Sequence, residues 1–544
     1  MVAHDAREAD PERPTLCEPP TAAYGPLQDI EPAQLTTSTA GDDPMGAPAE
    51  LGPCHRCGQP GWKTLAAEVL CHTDYVNKTS RLPKREVPDP DLTADTHDGY
   101  RFTDAGNARR LVDLHGAELR HVSEWGRWLA WDGRRWVLDH GNAQVTESAK
   151  GVPRLILTGL TTATRSQREA VLRWATRSEM VAGIRGMIEL AATRPDVRVS
   201  HTELDADPML LNVANGTVDL VLGLLEKHDP PKLITKYVDV RFHKAAACPT
   251  WHAFLERVLP DPEVREFLQR MVGYSLTGSV DEQVMVFLIG TGANGKSVFL
   301  NVLRRLLGDY AVAAPRDLLI AQKHEPHPTS TARLHGARVA VASETEAGAK
   351  LAEAKVKDLT GGDQLTARRM REDFWQFTPT HKLWLASNHR PQIAGADEGI
   401  WRRLRVIPFD VTIPPAERDP GLITRLEREL PGILAWAVEG CVQWQTYGLG
   451  LPAAVDVATS EYRAEQDVVG QFLTANGYTL HPGGAVPAGD LRRRYDAWAE
   501  AEGLHALGPV AWANALRSRG LQDVRRHAGR VWQGVAATTT REAT

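Results

Sequence analysis

Residues Val284 to Gly308 read VMVFLIG-TGANGKS-VFLNVLRRLLG, an apolar run, a glycine-rich turn, and an apolar pattern at helical spacing that stops at Gly308. A strand that passes directly into a helix through such a turn commits the surrounding chain to an α/β architecture. Within it, Gly290, Gly295, Lys296 and Ser297 complete G-x-x-x-x-G-K-[ST], the phosphate-binding loop. Glycines let successive backbone N–H groups point inward, and the following helix presents the positive end of its dipole to an anion. Lys296 is placed to reach the β- and γ-phosphates of ATP, and the Ser297 hydroxyl to ligate Mg²⁺. Gly290, Thr291, Gly292, Ala293, Asn294, Gly295, Lys296 and Ser297 are therefore the expected nucleotide-binding residues.

A loop of this kind specifies only a nucleotide; the reaction has to be read from the acidic and polar residues downstream of it. Arg338 to Ser343 (RVAVAS) is a short apolar strand ending before Glu344 and Glu346, where a carboxylate can hold Mg²⁺-bound water or activate the attacking water. His381 to Ser387 (HKLWLAS) is another, ending in Asn388, whose amide can orient that water or sense the γ-phosphate. Ligands of open parallel sheets bind beyond the carboxyl ends of the strands, so three strands ending in polar chemistry point to one site. Arg402 and Arg403, just before the run LRVIPF, are candidates for an arginine offered to a neighbouring subunit's nucleotide, which requires a ring.

Composition sets the frame around this core. A chain of 544 residues, 42% hydrophobic, is long enough for three or four globular domains. Its 63 basic and 69 acidic residues give −6, so any nucleic-acid surface must be a local patch. No apolar run approaches the ~20 residues that cross a bilayer, and a soluble cytoplasmic protein without membrane attachment is expected.

Residues 1–53 are rich in proline and poor in large apolar side chains, the composition of a disordered segment. Residues 54–98 open with Cys54-x-x-Cys57-Gly, and Cys71 and His72 are candidates to close a tetrahedral zinc site with them; a loop of free thiols is the alternative. Residues 99–245 read as an α+β region, with hairpin turns at Asp132-Gly133 and Asn215-Gly216. Trp128, Trp131 and Trp136 are read as a core face rather than a base-stacking platform. Residues 246–282 are helical, interrupted at Pro260 to Pro262. Residues 283–412 hold the nucleotide core and 413–465 a helical extension.

Residues 466–544 read as three helices (Val468 to Asn476, Leu491 to Glu502, Pro509 to Arg519) followed by two strands, the elements of a winged helix. Arg492, Arg493, Arg494, Arg517, Arg519, Arg525, Arg526 and Arg530 outnumber its acids and fall on the candidate recognition helix and wing, as a phosphate footprint would.

The order GTGANGKS, VAVASETE, KDLTGGDQLTARRMREDFWQF, LWLASN and DEGIWRRLRVIPF resembles the superfamily-3 helicase domain of phage and plasmid primase-helicases, related to the poxvirus primase-helicase. The resemblance spans roughly residues 200 to 465, including LLNVANGTVDL and FLQRMVGYSLTG upstream. It implies an AAA+-like parallel-sheet ATPase that assembles as a homo-hexamer and translocates on single-stranded or forked DNA, typically 3′ to 5′. By motif it makes Glu344 the acid after the second strand, Asn388 the polar sensor, and Arg403 the arginine finger with Arg402 as the competing assignment. Relatives often carry two adjacent acids where this chain has Ser343-Glu344, so the division of metal and base roles stays open. The resemblance also puts a DNA-contacting hairpin at Thr366 to Phe377, with Arg368, Arg369 and Arg371 near its bend, suited to tracking phosphates.

The expected fold class is thus α/β, a P-loop core flanked by an α+β N-terminal region and a C-terminal winged-helix-like domain. Two other functions compete with the helicase, a nucleotide-gated DNA-binding or loading module and a P-loop small-molecule kinase. The kinase leaves the arginine pair and basic hairpin unexplained. No acidic triad for primer synthesis can be placed before residue 200.

Overall fold

The computed structural model describes residues 63–65, 68–70, 96–97 and 99–538, apart from 159, 161–162, 316–317, 322–327, 344–347, 369–373, 394–397 and 528. The chain divides into two units, Met1–Asp91 and Leu92–Thr544. In the first, the described part is a pair of short antiparallel strands, Lys63–Leu65 and Glu68–Leu70. The positions expected to hold zinc, Cys54, Cys57, Cys71 and His72, lie outside the described residues.

At the centre of the second unit lies a parallel five-stranded sheet. We number its strands β1 (Met285–Ile289), β2 (Ala311–Ala313), β3 (Val339–Ser343), β4 (Lys382–Ser387) and β5 (Leu404–Pro408). Their spatial order is β2-β3-β4-β1-β5, so a strand from late in the chain separates the loop strand from the acid-bearing one. Strands read as continuous apolar runs when both faces of a parallel sheet are covered. Val286 and Leu288 of β1 enter one core, and Met285, Phe287 and Ile289 the other. β4 splits the same way, Trp384 and Ala386 against Leu383 and Leu385. Each fully buried side chain of this size contributes roughly 1.5–3 kcal/mol.

One face is covered by helix α1 (Lys296–Leu307) together with Pro249–Val258, Pro262–Leu276 and Leu430–Tyr447. Asp261 ends the break between the first two by accepting from the Glu263 N–H at 2.9 Å. Helices Pro262–Leu276 and Leu430–Tyr447 touch backbone to backbone. A Cβ on Gly273 would meet the Cys441 nitrogen at 2.1 Å, and one on Gly440 the Gln269 carbonyl at 2.2 Å. Helix α2 (Ala453–Gln466) lies against β5 and carries Tyr462 into the opposite core.

The region before residue 245 is α+β. Strands Trp136–Leu138, Arg127–Trp131, Leu119–Val122 and Arg198–Val199 form one sheet, with helices Asp104–His115, Ala143–Ile156, Arg165–Glu179 and Val181–Ala192 beside it. Its first hairpin turns at Asp132-Gly133, where the Asp132 carboxylate accepts from the N–H groups of Arg134 and Arg135 at 2.8 Å each. Trp128 and Trp136 are buried, and the Trp131 and Trp136 ring centroids are 5.6 Å apart. The second hairpin turns one residue earlier than expected: Val213 pairs with Gly216, leaving Ala214 and Asn215 as the turn. Asn215 fastens it by exchanging hydrogen bonds with the Phe242 backbone at 2.8 and 3.0 Å.

The C-terminal part runs helix (Val468–Ala475), strand (Tyr478–Pro487), helix (Ala488–Ala501), helix (Pro509–Arg517), then strands Gln522–Arg526 and Gly529–Ala537. The strand Tyr478–Pro487 was not expected, because HPGG reads as a breaker. It sits at the sheet edge, paired to Gly529–Ala537 with a register shift between Leu480 and Ala485 that takes up the proline and glycines. Tyr495 and Trp512 stack at 4.3 Å in the core of this part.

Candidate functional site

The turn after β1 is wound by three positive-φ residues, Gly292 at 111°, Ala293 at 49° and Gly295 at 88°. Two later segments hold it in place. The Ile413 N–H donates to the Ala293 carbonyl at 2.8 Å, and the Asn294 side-chain amide donates to the Phe409 carbonyl at 2.8 Å. Gly290 is required by the second contact, since a Cβ there would lie 2.3 Å from both the Asn294 amide nitrogen and the Phe409 oxygen.

Lys296 opens α1 and is only 5% exposed. Its ammonium donates to the Gly290 carbonyl at 2.7 Å, to Asn294 Oδ1 at 3.0 Å and to Asn388 Oδ1 at 3.1 Å. All three are neutral oxygens. Burial pushes its pKa below the ordinary lysine value, and among the described residues no carboxylate is bonded to it. Such a group gains most from an anion. Thr291 and Ser297 are exposed, Ser297 in the first turn of α1. The residues present therefore fit a nucleoside triphosphate, with the Ser297 hydroxyl as the one described oxygen offered to its Mg²⁺.

Asn388 follows β4, and the insertion of β4 beside β1 is what brings it to Lys296. β3 ends at Ser343, paired to Ala386 one strand further on. Glu344, the next residue, lies outside the described residues, as does Glu346. A cleft of about 710 Å³ opens beside the loop, lined among others by Gly290, Thr291, Asn388, Arg390, Asp410 and Glu461. Arg390, Asp410 and the α2 wall were missed in the sequence; the available signal was that Arg390 stands two residues after Asn388, at the same strand tip.

The two arginines before β5 differ sharply. Arg403, favoured as the arginine finger, is 9% exposed and donates to Thr360 Oγ1 at 3.1 Å, to the Gly399 carbonyl at 2.8 Å and to Gln283 Oε1 at 3.1 Å. Its guanidinium binds the fold together. Arg402 is exposed.

The expected DNA-contacting segment is a hairpin, Leu365–Arg368 paired with Phe374–Phe377 in the register Arg368↔Phe374. Its bend, with Arg369 and Arg371, lies outside the described residues. Arg368 is exposed, with its guanidinium 5.2 Å from the centroid of the Phe374 ring, itself 60% exposed. A cation beside an exposed ring suits a phosphate and a base together. The hairpin is rooted by buried Ala367 and Phe377, and by Trp375 against His335 at 4.7 Å.

In the C-terminal part, Arg525 is exposed at the end of its strand and Arg517 on its helix, 3.1 Å from Asn514 Oδ1. Arg519 is turned inward, paired with the Asp467 carboxylate. Among the described residues no group of three or more His, Cys, Asp or Glu is arranged to hold a metal, and no helix is long and apolar enough to cross a membrane.

Residues 108–260 match a family model described as D5 N terminal like, and residues 288–403 one described as a family of unknown function (DUF5906). A putative helicase of Acanthamoeba polyphaga mimivirus is 29% identical over 296 residues, 50% of this chain and 30% of that protein. One of Frog virus 3 is 29% identical over 276 residues, 46% of this chain and 28% of the other. A putative primase of African swine fever virus is 26% identical over 211 residues, 37% and 22% of the two chains. The matches thus span about a third or less of the relatives' own length. The apo C-terminal region of NrS-1 superposes with a TM-score of 0.46 at 10% identity, covering 79% of this chain and 98% of that one.

Proposed function

We propose that this chain, similar to viral helicases and primases, is a DNA-stimulated ATP hydrolase that works as a ring helicase. The observation that carries the reading is the buried Lys296 ammonium, bonded to Asn388 across two strand tips and, among the described residues, to neutral oxygens alone. Lys296 would hold the β- and γ-phosphates, and the loop N–H groups would surround them. Asn388 would lose its lysine partner to the nucleotide and turn its amide to the attacking water or the γ-phosphate. Ser297 and Glu344, the residue after β3, would hold Mg²⁺, whose charge would offset the negative charge that develops on the transferred group. Zinc at Cys54, Cys57, Cys71 and His72 is a separate proposal that this mechanism does not use.

The strand order, with β4 between β1 and β3, supports an AAA+-like core; on this reading a neighbouring subunit in a hexamer would complete its chemistry. For the arginine supplied across that junction, the geometry favours Arg402, because Arg403 is spent inside its own chain. The hairpin with Arg368, Arg369 and Arg371 would follow the DNA strand. The C-terminal part, read as winged-helix-like, would add duplex contacts through Arg517 and Arg525, with Arg519 reserved for Asp467. The test is strand displacement from a labelled fork with Mg-ATP. A nucleotide-gated binder would hold the fork without separating it.

A further inference from the structure

The cleft beside the loop carries an unusual charge balance for a place next to a triphosphate. Asp410, Glu461 and Glu465 line it, and Arg390 is the one arginine or lysine among its described lining residues. Asn388 belongs to the same lining and touches the Lys296 ammonium, so, on the nucleotide reading above, the cleft adjoins the γ end of the triphosphate.

Arg390 is held back from that end. Its guanidinium pairs with the Glu465 carboxylate on α2 and lies 5.6 Å from the centroid of the Tyr462 ring. The pair is partly exposed, 24% for the arginine and 53% for the glutamate, so water competes for both partners and the tie is weak. The turn itself does not depend on it. The Tyr462 hydroxyl donates to the Pro391 carbonyl, and Gln466 Oε1 accepts from the Ile393 N–H at 3.1 Å. Those two bonds fasten the backbone to α2 just beyond the arginine, leaving its side chain able to change partner without unfolding the turn.

We propose that Arg390 is a second cation for the terminal phosphate, latched by Glu465 until a triphosphate arrives. A γ-phosphate offers the planar guanidinium two oxygens and more charge than a half-solvated carboxylate, which favours the exchange. ADP lacks that phosphate and leaves the latch closed.

The test measures binding of a non-hydrolysable ATP analogue and of ADP, each with Mg²⁺, to the full chain and to its Arg390→Gln and Glu465→Gln variants. The analogue is expected to bind Arg390→Gln about tenfold or more weakly, with ADP within about twofold of wild type. Glu465→Gln is expected to bind the analogue at least as tightly as wild type. If the ion pair were only structural, both substitutions would break the same contact and shift both nucleotides alike; that result, or unchanged analogue binding by Arg390→Gln, overturns the proposal. Lys296→Ala separates this from the wider reading: wild-type binding by that variant removes the nucleotide site itself, whereas its loss beside an inert Arg390→Gln removes only the latch.

Discussion

Lys296 and Asn388, separated by 92 positions in sequence, are joined by a 3.1 Å hydrogen bond from the ammonium to the side-chain oxygen. The bond exists because β4 pairs with β1, ending one strand's polar tip beside the other's loop. Asn388→Ala removes that partner and any polar group aimed at the attacking water. Turnover should fall by about a hundredfold, the cost of losing one preorganised donor at a reacting phosphate, while nucleotide affinity stays within a few-fold. Steady-state kinetics with parallel binding measurements check the split.

The adjacent arginines should separate stability from catalysis. Arg403→Ala strips three internal hydrogen bonds from a buried guanidinium and should destabilise the fold by about 2–4 kcal/mol. Arg402→Ala, at an exposed position, should stay within about 0.5 kcal/mol of wild type. It should nonetheless lose turnover, and poison wild-type protein when the two are mixed, because in the proposed ring each junction would need one intact arginine. Denaturation midpoints and mixing titrations measure the two effects.

The hairpin makes an ionic-strength prediction. Arg368→Ala removes one exposed cation and leaves the rooted base intact. Single-stranded DNA should bind more weakly regardless of sequence, and the slope of log affinity against log salt should flatten by about 0.7. An unchanged slope would remove Arg368 from the DNA path.

How far these sites could be read from sequence depended on how local their causes are. The strand, turn and helix around Lys296 were legible because their signal is contiguous: an apolar run, then glycines where φ turns positive, then an apolar stripe. Asn388 was legible as a strand tip, but not its partner, since strand order is fixed by distant pairing. Arg403 looked like a surface arginine because Thr360 and Gln283, which bury it, lie 43 and 120 positions away. The edge strand Tyr478–Pro487 was hidden by HPGG, whose breaker residues are tolerated only because an edge allows a bulge.

His381 gives the fold a pH dependence. It is 1% exposed, immediately before β4, and among the described residues neither ring nitrogen has a hydrogen-bond partner. Burial, aided by the charge of neighbouring Lys382, pushes its pKa from 6.5 down to about 3. The unfolded chain therefore takes up a proton below 6.5 that the folded chain refuses until about 3, so stability is whole above that range and falls with pH through it. Between pH 7 and 5 this one group should cost about 2 kcal/mol. The His381→Phe variant should lose about that much less over the same interval, as read from urea denaturation at the two pH values.

On the proposed function, a triphosphate cleaved at Lys296 drives work on DNA. This is tested most directly by Mg-ATP turnover of the full chain, with and without single-stranded DNA, beside the Lys296→Ala variant. The expected result is turnover that DNA stimulates, and none in a variant that remains folded. A rate indifferent to DNA, or one that survives the loss of Lys296, would contradict it.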